Sequence, residues 1–341
     1  MMTAPMNVFD EIRRITAYAL TVARDVQLDE ESLDRLGKRV NATMVRERAA
    51  AIETSDNAKV DVHFDSIRDN VNYRAMFGLI QLGHGFRYEL HRTTGVGASK
   101  TIISGMNSLA REKGGLSAAS LAALTATDIK QHFGIEVHHV TKELALATLA
   151  EQILDGLAGT GKILVAQGHA GMYDFVVAEL QTARTNGSPP AAHLVLALKE
   201  TFPSMNDVGT LHDGTEVRLC KKAILSAHEI KRAVGPIDGR FVLDDMHCAT
   251  RIIDNVVPAM LVKLGAMKLS EDLSATIQGG KLLPRGPQET ELRAVGVALL
   301  ERLSVLTGVG PSTLSYYFWL IGKDGDNRDW KRHHTQDTVF Y

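Results

Sequence analysis

The chain has 341 residues, of which 45% are hydrophobic and 23% charged, as in an ordinary water-soluble globular protein. Its 38 basic and 40 acidic side chains give a formal charge of −2, so no basic surplus indicates bulk nucleic-acid binding. The longest apolar runs, such as residues 161–166, fall well short of the roughly 20 residues that cross a bilayer, which predicts no membrane-spanning helix.

The beginning of the chain and its cysteines predict a cytoplasmic protein. The first residues lack the basic-then-apolar layout of a secretory signal. The two cysteines, Cys220 and Cys248, have no paired spacing that could hold a metal or a disulfide framework. We therefore expect a reducing compartment.

Helical periodicity dominates the sequence and predicts a mainly α fold. Ser117, Thr141 and Ser270 each precede a periodic segment and are expected to cap a helix N-terminus. Apolar residues recur at three- and four-residue spacing in six segments, namely 7–24, 31–51, 143–157, 170–184, 250–265 and 287–305.

One β-hairpin and two joints interrupt this pattern. Asp213-Gly214 forms a tight-turn pair between two short β-prone runs, which predicts one small hairpin around 209–220. Two prolines and turn formers in 185–191 indicate a link between helices of one body. A second candidate boundary lies at 112–117, and it divides the chain into parts 1–117 and 118–341 that are expected to form one continuous helical domain.

Two motifs suggest chemistry that the rest of the sequence does not support. Residues 156–162 match the start of a phosphate-binding loop, but Ile163 replaces the hydroxyl residue and no strand precedes, so we interpret them as a helix C-cap and reversal. The thirteen histidines include the doublets 138–139 and 333–334. The two side chains of such a doublet point in different directions and therefore rarely bind one ion. No metal site is predicted, and a metal-dependent hydrolase remains an alternative.

Asp254 is the strongest candidate catalytic residue. With Thr250 as cap, Asp254 lies just past the first turn of a helix and shares a flank with apolar Val257, Pro258 and Leu261. A carboxylate on such a flank is partly buried, and it is then either hydrogen-bonded structurally or catalytic. Spacing alone leaves both roles open.

Two further segments near the C-terminal end carry polar or aromatic clusters. Glu289 and Arg293 stand four residues apart on a helix and can form an intrahelical ion pair, either on a solvated face or at a pocket. The aromatic run 316–319 either belongs to the core or stacks on a flat heterocycle.

Short blocks in fixed order, from about Leu116 onward, resemble the queuosine salvage protein family. The blocks are FPSMNDV (202–208), KKAIL (221–225), the segment 252–273, ETELRA (289–294), YYFW (316–319) and the stretch 334–341. The resemblance implies hydrolysis of queuosine 5'-phosphate to release queuine, without cofactor or metal, by a monomeric protein. It also implies a mostly α-helical fold similar to that of helix-hairpin-helix DNA glycosylases. The expected partner is a small nucleotide, with no direct binding of nucleic acid or membrane.

The resemblance also implies roles for individual residues. Asp254 would stabilise or trap the oxocarbenium-like sugar, and Glu229 with His84 would assist departure of the base. Lys221, Lys222 and Arg87 are candidates for the 5'-phosphate. The expected substrate-binding residues as a whole are His84, Phe86, Arg87, Phe202, Asp207, Lys221, Lys222 and His334.

Three blocks depart from the family pattern. In one block the acid and the proline of the family are present as Asp254 and Pro258, but the residues between them differ from the family pattern. In another, Glu229 occupies a position where the family usually has an aspartate. IQLGHGFR (80–87) replaces the family's aromatic Asn-Phe-Ser/Cys-Phe-Trp segment. The last change leaves a non-catalytic nucleotide-binding protein as the alternative, and a related modified nucleotide as an alternative substrate.

Overall fold

The structure, a computed structural model, describes residues 7–58, 60–135, 144–249 and 253–341, and it confirms the mainly α fold. The α-helices are α1 Val8–Val22, α2 Glu30–Arg39, α3 Ala42–Ala58, α4 Ile67–Leu79, α5 Arg87–Thr94, α6 Ala98–Lys113, α7 Ala118–Ala122, α8 Ala126–Phe133, α9 Leu144–Ala166, α10 Met172–Asn186, α11 Pro190–Thr201, α12 Lys221–Val234, α13 Val256–Lys263, α14 Glu271–Gln278, α15 Pro287–Thr307 and α16 Pro311–Ile321. The strands are β1 Val26–Leu28, β2 Val208–Thr210, β3 Glu216–Arg218 and β4 Met267–Leu269.

The predicted helix starts agree with the structure where it describes them. Ser117 accepts a hydrogen bond from Ser120 N at the start of α7, and Ser270 accepts one from Leu273 N at the start of α14. The cap predicted at Thr141 lies outside the described residues, as does the doublet 138–139. The segment 31–51 forms two helices, because α2 ends at an extended Val40 and the Asn41 side chain accepts from Met44 N at the start of α3.

The expected C-cap at residues 156–162 is wrong, because these residues lie inside α9. A Cβ on Gly161 would stand 2.3 Å from Ala122 N and 2.7 Å from Leu121 Cβ. Glycine at this position therefore lets α7 pack directly onto the α9 backbone. The segment is a helix-packing surface, and α9 ends only at Ala166.

The described chain divides into two compact units, each assembled from separate stretches. The first unit contains the chain up to Ser55 together with Asp207–Lys221 and His247–Thr338. Its central helix is α15, whose residues 289–300 are all buried and which packs against α1, α2, α13, α16 and β1. The core of this unit therefore surrounds α15.

Two antiparallel strand pairs complete the first unit. Strands β2 and β3 pair Val208 with Arg218 and Thr210 with Glu216, which confirms the predicted hairpin. Strand β1 pairs with β4 in the register Val26 to Leu269, a contact between distant parts of the sequence. Only three residues of each strand take part, too few for a periodicity signal.

The second unit contains Asp56–Asn206, Lys222–Met246 and Val339–Tyr341. Within it α7 packs on α9, α6 on α8, and α10 on both α4 and α11. Residues 112–117 and 185–191 both lie inside this unit, and the second of them joins α10 to α11 as expected. The division at residue 117 stays a prediction, as does the likeness to helix-hairpin-helix glycosylases.

Among the helices of the described residues, none is both long enough and apolar enough to cross a bilayer. Both cysteines are free thiols, with Cys220 buried and Cys248 half-buried.

Candidate active site

Asp254 lies in the first unit, directly before α13, and only 1% of it is exposed. Its Oδ1 accepts a hydrogen bond from Val256 N at 2.8 Å, and its Oδ2 accepts one from Trp319 Nε1 at 3.0 Å. The carboxylate is thus buried and oriented by two N–H donors.

The expectation that Asp254 lies inside the helix is wrong, because α13 begins at Val256. Pro258 explains the later start. If the helix began before residue 254, the ring of Pro258 would clash with the carbonyl of residue 254, four positions earlier. Pro258 also has no N–H to donate to that carbonyl. In the first turn of α13 proline is tolerated, so the helix starts just after Asp254. The predicted cap Thr250 lies outside the described residues.

Arg293 on α15 fixes the backbone next to Asp254. Its Nε donates to the carbonyl of Ile253 at 3.1 Å, and its guanidinium forms a two-point ion pair with Asp207, in which Nη1 lies 2.9 Å from Oδ1. Nη1 also lies 3.4 Å from Glu289 Oε1, which confirms the predicted pair four residues apart. Arg293, Asp207 and Glu289 are all at most 3% exposed, so this pair belongs to the interior and not to a solvated face.

Lys221 brings a positive charge to the same group of residues. It is the first residue of α12, belongs to the first unit and is fully buried. The pKa of the Lys221 ammonium group is lowered to about 8, chiefly by burial; the charge of Arg293 adds to the shift, and the charges of Asp254 and Asp207 oppose it. Of the predicted site residues, the structure therefore groups Asp254, Asp207 and Lys221 electrostatically.

His333 and His334 complete this group, and both are buried. The His333 carbonyl accepts a hydrogen bond from Asn255 Nδ2 at 2.9 Å, next to Asp254 in the chain. The pKa of the His333 imidazole is lowered from 6.5 to about 3, chiefly by burial and also by the charges of His334 and Arg293, while the charge of Asp254 opposes the shift. His333 is consequently neutral at physiological pH.

Acid should destabilise the protein through His333. Between pH 6.5 and about 3 the unfolded chain binds a proton that the folded protein excludes, so this stability is present above pH 6.5 and is lost as the pH falls. The wild type should therefore lose unfolding free energy between pH 7 and pH 5. Over the same pH range we expect the His333→Gln variant to lose about 2 kcal/mol less than the wild type. Urea unfolding at both pH values measures this difference, and His63→Gln, at an exposed histidine, is the matched control. Equal losses in wild type and His333→Gln would contradict the expectation.

The remaining predicted residues belong to the second unit, namely His84, Phe86, Arg87, Phe202, Lys222 and Glu229. Glu229 is buried and its Oε2 lies 3.2 Å from Arg74 Nη1 and 2.6 Å from Arg232 Nη2. Two guanidinium groups that bind one carboxylate oxygen favour an ion-pair role over that of a proton donor. The catalytic role of Glu229 stays a prediction.

The other five residues of the second unit lie on or beside helices. Phe202 is fully buried and packs edge-on against Phe175, with ring centroids 5.1 Å apart. His84 begins a single turn of 3-10 helix that ends at the buried Phe86. Arg87 begins α5, and Lys222 is fully buried in α12. Their roles in substrate binding stay predictions.

Gly83, in the altered segment 80–87, has a positive φ of 92° and donates its N–H to the carbonyl of Tyr341 at 3.1 Å. The segment is therefore attached to the C-terminal stretch within the second unit.

Sequence reasoning did not identify the partners of Asp254. Trp319 belongs to the aromatic run that the sequence singled out, but nothing in its spacing indicated a hydrogen bond to a residue 65 positions away. Arg293 was placed in an intrahelical pair, whereas its contacts with Asp207 and Ile253 are long-range. Both residues lie in family blocks, which is the one signal that could have directed attention to them.

Two groups of side chains in the described part of the chain could hold a metal ion, and neither includes Asp254. They are Asp25 with His212 and Glu291, and Glu112 with Asp128 and His132. In the first, His212 Nε2 lies 2.8 Å from Asp25 Oδ2, and the Glu291 carboxylate accepts backbone N–H groups of residues 24 and 25. In the second, Lys113 binds two of the carboxylates. These protein hydrogen bonds and ion pairs already explain both groups.

Comparison with known proteins agrees with the resemblance read from the sequence. A family model described as queuosine salvage protein matches residues 91–341. A Bos taurus protein named queuosine 5'-phosphate N-glycosylase/hydrolase is 31% identical over 199 residues, which cover 53% of this chain and 55% of the relative. A Schizosaccharomyces pombe protein of the same name is 26% identical over 188 residues, or 54% of this chain and 51% of the relative.

A Mus musculus protein, again of that name, is 30% identical over 161 residues, which cover 43% of this chain and 44% of the relative. The chain spans about half the length of the curated relatives it matches. The family model, by contrast, extends over most of the chain and includes Asp254, Arg293 and Trp319. The chain therefore belongs to the queuosine salvage protein family.

Proposed function

We propose that the protein hydrolyses the N-glycosidic bond of queuosine 5'-phosphate, or of a related modified nucleotide. In this reaction water adds to C1' of the ribose, the C1'–N bond breaks, and the products are the free base and ribose 5-phosphate. Family membership and the names of three relatives support the proposal. The released base, queuine, would then be available for salvage into tRNA.

The single observation that carries the proposal is the state of Asp254. Its carboxylate is buried, and separate N–H donors bind its two oxygens. A buried carboxylate that is held by directed N–H donors keeps its negative charge at a fixed position, which a solvated carboxylate does not. Cleavage of an N-glycosidic bond produces a positively charged, oxocarbenium-like sugar, which such a carboxylate can stabilise or trap covalently.

The leaving base and the phosphate require further groups. A 7-deazaguanine base lacks the N7 that a purine can protonate, so hydrogen bonds to its other polar edges must assist departure. Lys221, a buried cation in the same unit as Asp254, is our candidate for binding the phosphate. The corresponding roles of Glu229, His84 and Arg87 remain predictions from family resemblance.

The test is a product assay with the purified protein. We expect incubation with queuosine 5'-phosphate to yield free queuine, detected by its mass, and the yield to persist in the presence of a chelator. The nucleoside queuosine and unmodified guanosine 5'-phosphate are the controls for phosphate and base recognition. Release of no base from any modified nucleotide would contradict the proposal, and activity that a chelator abolishes would instead support the metal-dependent alternative.

We further infer that the protein acts as a monomer on the free nucleotide in the cytoplasm. The free thiols of Cys220 and Cys248 suit a reducing compartment. The monomeric state and the absence of direct nucleic-acid binding rest on the family resemblance alone.

A further inference from the structure

Trp319 donates the hydrogen bond that fixes one oxygen of Asp254. The indole Nε1 lies 3.0 Å from Asp254 Oδ2 and donates its hydrogen to it, while Val256 N donates to Oδ1 at 2.8 Å. The backbone donor is present whatever the side chains are, whereas the indole donor depends on one residue. An indole N–H only donates, so it orients a carboxylate without taking its proton.

The surroundings hold the Trp319 ring in one place. Tyr316 stacks against it, with ring centroids 5.8 Å apart and an interplanar angle of 15°. Lys323 Nζ lies 3.3 Å from the centroid of the indole ring, in a cation–π contact. A cation over the ring face withdraws electron density from the indole, which strengthens the N–H as a donor.

Close packing of α16 on α13 brings the indole to the carboxylate. A Cβ on Gly322, the residue that ends α16, would lie 2.5 Å from Val256 Cγ1 and 2.9 Å from Met260 Cγ. Only glycine permits this approach. Helix α16, which carries Trp319, therefore packs closely against α13, which begins two residues after Asp254.

We propose that Trp319 is a positioning residue for the Asp254 carboxylate. This inference rests on the proposed glycosidase function. The indole fixes the rotation of the carboxylate, so that its negative charge is held in one orientation as positive charge develops on the ribose. Trp319 does so through Asp254 and contacts no reacting atom itself.

Trp319→Phe keeps an aromatic ring and removes the donor. Because hydrogen bonds to charged groups are the stronger ones, we expect kcat for queuine release to fall about 10- to 100-fold. KM should change less than about threefold, because binding of the substrate in its ground state does not depend on the orientation of the carboxylate. A purely structural role would change stability without this separation of kcat from KM.

The chain offers a matched control, since Trp330 is its other tryptophan and Lys263 Nζ lies 5.1 Å from the centroid of that ring. Trp330→Phe removes an indole that also lies beneath a cation, and it should leave kcat at the wild-type value. An unchanged kcat in Trp319→Phe would overturn the proposal. So would an equal loss in both variants.

A second measurement does not depend on activity and keeps Trp319 in place. In the Trp330→Phe background, protein labelled with ¹⁵N-tryptophan shows one indole N–H signal, that of Trp319. We expect this signal to move upfield in proton shift when Asp254→Ala is added, because the charged acceptor is lost. An unmoved signal would overturn the proposal.

The two hypotheses fail in distinguishable ways. A wild-type protein that releases no base from any modified nucleotide contradicts the proposed function, and the positioning role fails with it. An active wild type together with a fully active Trp319→Phe variant contradicts the positioning role alone.

Discussion

Replacing Asp254 with asparagine is expected to reduce queuine release from queuosine 5'-phosphate about a thousandfold or more. The amide is nearly the same size as the carboxylate but carries no charge, so it can neither offset nor trap an oxocarbenium-like sugar. Steady-state rates with the purified variant, compared with wild type under the same conditions, measure the loss.

The variant should still fold. Asparagine offers one carbonyl oxygen where the carboxylate offered two, so either Val256 N or Trp319 Nε1 loses its acceptor, at a cost of about 1–3 kcal/mol. A circular dichroism spectrum and a urea unfolding curve check that the native fold remains. Asp29→Asn is the control, because Asp29 caps α2 in the same unit and asparagine caps a helix as well. Full activity of Asp254→Asn would remove Asp254 from the mechanism.

Asp254 shows how far the sequence could predict the site. Its identity and its family block were readable from residues 252–273, whereas its position in the fold was not. The periodic pattern 250–265 predicted a helix around it, because apolar spacing does not register the steric demand of Pro258. The structure begins α13 at Val256, and this later start is what lets the Val256 N–H bind Asp254.

Local features of the fold could be predicted from the sequence, whereas long-range contacts could not. The Asp213-Gly214 turn and the Ser270 cap depend on neighbours in sequence, and both were predicted correctly. The pair β1 with β4 and the contact of Asp207 with Arg293 join residues far apart in the chain. Such contacts follow from tertiary packing, which residue spacing does not encode.

Arg293→Met is expected to destabilise the protein by about 3–5 kcal/mol. Methionine fills a similar volume, but it leaves Asp207 without its guanidinium partner in a position that is only 1% exposed. Glu289 loses the same partner, and the Ile253 carbonyl loses its donor. A buried charge that lacks its counter-ion costs far more than an exposed one, which is why the effect should be large. Urea unfolding at pH 7 measures it.

The double variant Arg293→Met with Asp207→Asn separates charge from packing. If the uncompensated carboxylate causes the loss, removing its charge should restore part of the unfolding free energy, and the two changes together should cost less than the sum of the two single changes. Simple addition of the single effects would show instead that Arg293 stabilises the protein through packing alone. Because the Arg293 Nε–H also binds the Ile253 carbonyl directly before Asp254, queuine release should remain low in the double variant even where stability recovers. Recovery of both would contradict a role for Arg293 in holding the backbone at Asp254.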